Sequence, residues 1–265
     1  MAEIRLIGKV IIKGNVCVKT GLRIGGTTTG LKIGGVDQPV ITDPLGKPYI
    51  PGSSLKGKLR SLIERKEKVP LNIKDKNGNP LRHECGSREN YEKCCVCKIW
   101  GILGGEKIKE VSTITRLIVR DTYFDEESIS EEMKKNLELE YTEVKMETAI
   151  NRSTGTALGG SLRTIDRVPA GARFKNCEII FNVFEEGDKD LLKKVFEAME
   201  LLEDDYLGGM GSRGYGKVEF KDIKIYWNKK EDYESGKLNQ RVVNKELDTP
   251  EKIVEKFEEV RGNLK

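Results

Sequence analysis

A chain of 265 residues, 37% hydrophobic and 34% charged, is long enough to bury a sizeable core and has the composition of a soluble globular protein. No apolar run approaches the roughly 18 residues that a membrane helix needs, and MAEIRLIGKV at the front lacks the apolar core of a signal peptide, so the expected location is cytoplasmic, with no membrane partner. The net charge of +4 is too small to argue for nucleic acid by itself, but it is unevenly spread: residues 1–68 carry 13 Lys and Arg against 5 Asp and Glu, whereas residues 185–206 carry 3 against 9. Such polarity fits a chain that binds a polyanion on one face, or one that stacks head to tail with copies of itself.

Residues 3–19 alternate apolar and polar through Ile4, Leu6, Val10, Ile12, Val16 and Val18, which predicts one long strand or a hairpin turning at Gly14-Asn15. A glycine-rich stretch comes next. It contains the pairs Gly25-Gly26 and Gly34-Gly35, and Asp37 stands directly after the second, a lone carboxylate on a mobile or tightly turned loop. Pro51-Gly52 stops that loop, Ser53 or Ser54 can cap a helix over 54–67, and Leu55, Leu59, Leu62 and Ile63 recur at helical spacing. Lys56 and Arg60, four apart, share one face of this helix. An opening of the form β–loop–α suits a ferredoxin-like or an α/β unit.

Residues 68–110 break the pattern with turn residues and a cysteine cluster, and read as an inserted module rather than core. Strand-like residues return over 113–124, and 125–140 is an acidic, partly helical surface segment. A long hairpin is expected next, its tip carrying Arg152 and Arg163, and then a strand over 177–185. Leu191, Leu192, Val195, Phe196, Met199 and Leu202 form one stripe of a helix over 189–205. A final strand runs from Val218 to Trp227, with a phase slip near Asp222 that signals a bulge. Residues 228–248 are highly polar and read as loosely ordered, before Thr249-Pro250-Glu251 starts a short terminal helix.

Three signals bear on chemistry. Gly209 to Gly214 matches G-x-G-x-x-G, but a helix precedes it and a strand comes after, the reverse of a dinucleotide or P-loop site; the loop offers instead backbone N–H groups, Ser212 and Arg213 to a phosphate backbone. His83, Cys85, Cys94, Cys95 and Cys97 lie within fifteen residues, and His83 is the only histidine of the chain. That density predicts tetrahedral structural zinc on His83, Cys85, Cys94 and Cys97, with Cys95 as the substitute for Cys94; the alternative is free thiols in a loop. Asp37 is either a turn residue or a catalytic carboxylate working with a divalent cation, because no histidine is left to serve a nucleophile.

Three motifs, GLRIGG with IGGVDQPVITDPLGKPYIPGSSLKGKLRSLIE at the front, YTEVKMETAINRSTGTA in the middle and DYLGGMGSRGYGKV near the end, resemble the RAMP-superfamily backbone subunit of the type III-A CRISPR effector, the Csm complex. The resemblance is ordered along residues 1–227 and implies an α+β chain with a modified ferredoxin-like, RRM-type core (1–67 and 111–227), an inserted zinc-binding lid module (68–110), a long thumb hairpin at about 141–168 and a charged C-terminal tail with a short helix (228–265). It implies an antiviral-defence subunit that stacks with copies of itself along guide crRNA, contacts other Csm effector subunits, and cleaves complementary target RNA with Mg²⁺ or another divalent cation. On this resemblance Asp37 is the catalytic residue, Lys56 and Arg60 hold guide phosphates, Arg23 contacts RNA, and Arg152 belongs to the thumb. The alternative is a non-catalytic crRNA-binding filament subunit with Asp37 a loop residue. Unlike the RRM type, no aromatic stacking motif is found in a central strand, so affinity is expected to come from the phosphate backbone.

Overall fold

The computed structural model describes residues 5–26, 36–102, 108 and 114–265. The fold is mixed α/β. A six-stranded sheet has the order β10-β1-β9-β6-β2, with β5 also paired to β9; it is built from β1 (Gly8–Val18), β2 (Tyr49–Ile50), β5 (Leu117–Val119), β6 (Thr122–Phe124), β9 (Arg173–Val183) and β10 (Val218–Lys229). Two helices, α1 (Gly52–Lys66) and α5 (Asp188–Glu203), pack on it and on each other. The predicted stripes are the ones buried: Leu55, Leu59, Leu62 and Ile63 of α1 and Leu192, Val195, Phe196, Met199 and Leu202 of α5. No helix among the described residues is long and apolar enough to cross a membrane.

Strand β1 is antiparallel to both β9 and β10 and does not turn at Gly14-Asn15. Its register jumps there on both sides, from Lys13↔Lys224 to Asn15↔Lys221 and from Gly14↔Cys177 to Val16↔Phe174, so each neighbour inserts one residue. The inserted positions take left-handed backbone at Asp222 (φ 56°) and Asn176 (φ 57°), and the Asn15 amide donates to the Asp222 carboxylate at 2.8 Å. A Cβ on Gly14 would lie 3.1 Å from the Lys221 carbonyl, so a small residue is what lets the paired bulges close.

Other elements depart from expectation for tertiary reasons. Neither Ser53 nor Ser54 caps α1; both lie inside it, Pro51 is the N-cap, and the Gly52 N–H donates to Asp121 at 2.7 Å. That aspartate sits in the break that divides the strand expected over 113–124 into β5 and β6; Thr113 itself lies outside the described residues. The 68–110 segment forms a small hairpin, β3 (Ile73–Lys74) with β4 (Pro80–Arg82), and helices α2 (Arg88–Lys93) and α3 (Cys95–Trp100). Its α3 sends Val96, Ile99 and Trp100 into the main core. The acidic segment contains a 3-10 turn and α4 (Glu131–Asn136). The long hairpin forms as an arm of β7 (Glu143–Glu147) and β8 (Arg163–Arg167), with Met146, Ile150, Leu158 and Leu162 exposed on it.

Residues 228–248 are ordered, contrary to expectation. After α6 (Lys230–Ser235), the Asn244 side chain accepts the Ile225 N–H at 2.8 Å and donates to the Ile223 carbonyl at 2.7 Å, while Val243 and Leu247 enter the core. The expected terminal helix is two, α7 (Pro250–Glu255) and α8 (Phe257–Gly262), and Ile253, Phe257, Val260 and Leu264 complete the core against α5. Truncating buried Phe257 to Ala is expected to cost about 3–5 kcal/mol and to lower the thermal midpoint by roughly 10 °C; a shift within scatter of wild type would show that this segment adds nothing to the core.

Candidate functional site

Gly34 and Gly35 lie outside the described residues, and the site is visible from Val36 onward. Loop 36–42 is laced to the arm. Gln38 bridges Ile165 in parallel, the Asp166 N–H donates to the Gln38 carbonyl at 3.2 Å, and the buried Asp166 carboxylate accepts the Val40 N–H at 3.0 Å. Asp37 is exposed at the outer end of this lacing. Its Oδ2 accepts the Thr164 N–H at 2.7 Å and the Thr164 hydroxyl at 3.0 Å, and its own N–H donates back to that hydroxyl at 3.0 Å. The Thr164 N–H, then its hydroxyl, hold the Asp37 carboxyl below the usual carboxylate range. Such a carboxylate is charged at neutral pH. It is a weak proton acceptor but a ready oxygen ligand for a hard cation.

On the other side of the loop runs the continuation of β1. Gly25 bridges Val40, Leu22 bridges Val168 of the arm's return, and Arg23 Nε donates to the Gln38 carbonyl at 3.4 Å. The Arg23 carbonyl receives the Gly209 N–H at 2.9 Å, so the terminal glycine loop docks here. Its glycines serve close packing: a Cβ on Gly208 would lie 2.2 Å from the Arg23 carbonyl and one on Gly211 1.9 Å from the Tyr206 ring. The N–H groups of Gly209, Arg213, Gly214 and Gly216 are bonded within the chain, and the loop presents the exposed side chains of Ser212 and Arg213. Arg152 is exposed toward the tip of the arm.

Asp37, Arg23, Ser212 and Arg213 therefore share one neighbourhood, whereas Lys56 and Arg60 do not belong to it. Lys56 Nζ donates to the Leu117 carbonyl at 2.8 Å and to the Thr115 hydroxyl at 3.3 Å, and burial pushes its ammonium below the usual lysine range. Arg60 donates to Glu64 (2.8 Å), the Gly101 carbonyl (2.9 Å) and the His83 carbonyl (2.5 Å). The 68–110 segment lies over the part of α1 that carries Arg60, which clasps it through the Gly101 and His83 carbonyls.

The clasp ends on the cysteine cluster. The ligand atoms of His83, Cys85, Cys94 and Cys97 all lie within 4.8 Å of one another, a spacing that one metal ion can fill. His83 Nδ1 is 2.9 Å from the Pro70 carbonyl, which fixes the ring and leaves Nε2 3.5 Å from both the Cys85 and Cys94 sulfurs. Cys94 Sγ receives the Cys97 N–H at 3.4 Å, and the Cys97 side chain and that N–H draw the Cys94 thiol below the usual thiol range. Cys95 falls outside the four, and burial pushes its thiol up to about 11. Glu64, itself buried, accepts the His83 N–H at 3.2 Å, so α1 holds the cluster through two side chains.

The site residues that sequence reasoning missed are Thr164, which holds Asp37, and the arm's charged row. Glu143, Lys145 and Glu147 alternate on one face of β7 and meet Arg163 and Arg167 across the hairpin. The alternation was the signal available for the row; Thr164 offered none, being 127 residues from its partner.

A model of the RAMP superfamily matches residues 17–219. The chain is 45% identical over 264 residues to the CRISPR system Cms endoribonuclease Csm3 of Methanocaldococcus jannaschii, covering 100% of this chain and 99% of that one. It is 40% identical over 226 residues to the protein of the same name from Methanothermobacter thermautotrophicus, covering 81% and 84%. Among solved structures, a chain of a Csm3–Csm4 subcomplex of the type III-A CRISPR-Cas interference complex superposes with a TM-score of 0.59 at 34% identity, covering 96% and 97%. Methanopyrus kandleri Csm3 superposes with a TM-score of 0.68 at 24% identity over 98% and 99%, a likeness of fold.

Elemental analysis of the purified chain is expected to find bound metal that survives Cys95→Ser and is lost in Cys94→Ser and in Cys97→Ser. Loss in Cys95→Ser with retention in Cys94→Ser would exchange the two roles.

Proposed function

The chain belongs to the RAMP superfamily, and from that premise we propose that it is the repeated backbone subunit of a type III-A CRISPR effector, which binds guide crRNA and cleaves complementary target RNA at Asp37. The observation that carries the reading is the ionised, exposed Asp37 carboxylate, fixed by Thr164 where the arm, the β1 continuation and the glycine loop meet. The two archaeal relatives are named endoribonucleases, and the Csm3–Csm4 subcomplex supports other effector subunits as partners. A helical filament of copies along the crRNA and a cytoplasmic location fit the same reading.

The residues fit a divalent cation, Mg²⁺ or a similar hard ion. One carboxylate with water and substrate phosphate oxygens is the way such an ion is commonly held, and the ion would supply charge stabilisation at the phosphate. The chain's own part is to hold that carboxylate rigid and charged and to surround the RNA backbone with Arg23, Arg213, Ser212 and, on the arm, Arg152. Lys56 keeps one ammonium donor beyond its two internal bonds, and Arg60 keeps about two of its five N–H groups beyond its three, so both stay candidates for guide phosphate. His83, the only histidine, is buried among the cysteines and is not at hand as a base, so the nucleophile, a water or the RNA's own 2′-hydroxyl, would give its proton to solvent. We assign structural zinc to His83, Cys85, Cys94 and Cys97, since four protein ligands leave no open position, and we take the sheet with α1 and α5 as the modified ferredoxin-like core, the arm as thumb and the 68–110 segment as lid.

The reciprocal bonds between Asp37 and Thr164 also suit a loop-pinning aspartate in a non-catalytic filament subunit. Asp37→Asn separates the readings, because it keeps an acceptor for Thr164 and loses the charge. In guide-loaded complex, Asp37→Asn is expected to slow cleavage of labelled complementary RNA on the order of 100-fold or more with RNA affinity unchanged. Cleavage that survives in the Asn variant and fails only in Asp37→Ala would make Asp37 a structural residue.

A further inference from the structure

The loop end of the β7–β8 ladder holds a charge cluster that neither the Asp37 carboxylate nor the cysteine cluster uses. At its centre is Glu147, at the end of β7, whose side chain is 13% exposed. Oε1 accepts the Tyr215 hydroxyl at 2.8 Å and lies 3.3 Å from Lys145 Nζ; Oε2 lies 3.2 Å from Arg163 Nη2 and 3.8 Å from Arg213 Nη1. These partners come from three places: β7, β8 and the glycine loop. Tyr215 is buried, and its ring is faced by Lys145 Nζ at 4.8 Å and by the Arg167 guanidinium at 4.9 Å. The three cations around Glu147 are 38–55% exposed, so the carboxylate sits beneath them and gathers them.

Arg163 precedes Thr164, and Thr164 is the residue whose N–H and hydroxyl hold Asp37. We propose that Glu147 is a positioning residue for cleavage: through Arg163 and Tyr215 it fixes β8 of the arm to the glycine loop, and so sets the place at which Thr164 presents Asp37 to the RNA. The proposal rests on the nuclease reading of Asp37. Glu147 touches no reacting atom; it acts through two side chains and one strand. β8 is also laced to the 36–42 loop through Asp166 and, by its continuation at Val168, to Leu22, so what Glu147 sets is the Arg163–Thr164 end of the strand, and about 1 Å of misplacement of a reacting group costs on the order of 100-fold in rate.

The test compares wild type, Glu147→Gln and Tyr215→Phe in guide-loaded complex, by single-turnover cleavage at saturating RNA and by RNA affinity, together with hydrogen exchange over residues 160–168 in the guide-free chain. Glu147→Gln is expected to slow the cleavage step about tenfold or more while affinity stays within about threefold, and to speed exchange at Thr164. Tyr215→Phe, which removes one hydrogen bond, moves both readouts in the same direction and by less, and serves if Glu147→Gln does not fold. A cleavage rate within about twofold of wild type with unchanged exchange overturns the proposal. So does tighter RNA binding at an unchanged rate, which would make Glu147 a competitor of phosphate for these cations. Should wild type not cut at all, the nuclease reading fails, and exchange at Thr164 still decides whether Glu147 holds the strand.

Discussion

Strand β1 is hydrogen-bonded along both edges, and this single pairing governs the course of the chain beyond it. Val10, Ile12, Val16 and Val18 face the core, so a slip of one residue would turn them all outward. The paired bulges opposite Gly14 absorb the mismatch without such a slip. Past Val18 the same segment keeps bonding, to Lys217 at Lys19, to Val168 at Leu22 and to the glycine loop at Arg23. The strand that organises the sheet thus delivers Arg23 and the Asp37 loop to the arm, and the site inherits the rigidity of the core.

Much of this was legible where one physical signal has one structural solution. The stripes of α1 and α5 suit helices facing a core, and the density of His83 and its neighbouring cysteines picked out four side chains whose ligand atoms lie within 4.8 Å of one another. Gly14-Asn15 shows the limit, since glycine and asparagine suit a turn and a bulge equally, and the choice was made by β9 and β10. The α1 cap was supplied by Asp121, 69 residues from the Gly52 N–H that it accepts. Residues 228–248 gave no period because their order rests on the Asn244 amide and two apolar side chains rather than on a repeating face.

The site divides in the same way. Asp37 is marked by its place after a glycine pair, and Ser212 and Arg213 by their loop, but what makes Asp37 a fixed, charged group is a threonine on a different element. Arg60 shows what helical spacing leaves out. Its place four residues after Lys56 gives the shared face, but not that the inserted segment lies over its side chain and bonds it through two carbonyls. The cysteine cluster, α1 and the sheet are consequently one packed unit, joined by Arg60 and Glu64 on one side and Trp100 on the other.

The arm behaves differently from that unit. It meets the body at its base and holds Met146, Ile150, Leu158 and Leu162 in water along its length. Scattered exposed apolar residues are ordinary on a soluble protein, but several on one projecting hairpin form a surface that wants cover. Exposed apolar surface is also what chaperones and proteases respond to in a cell. On this chain the arm is the place where such surface is offered, so whatever covers the arm would also shield it from them.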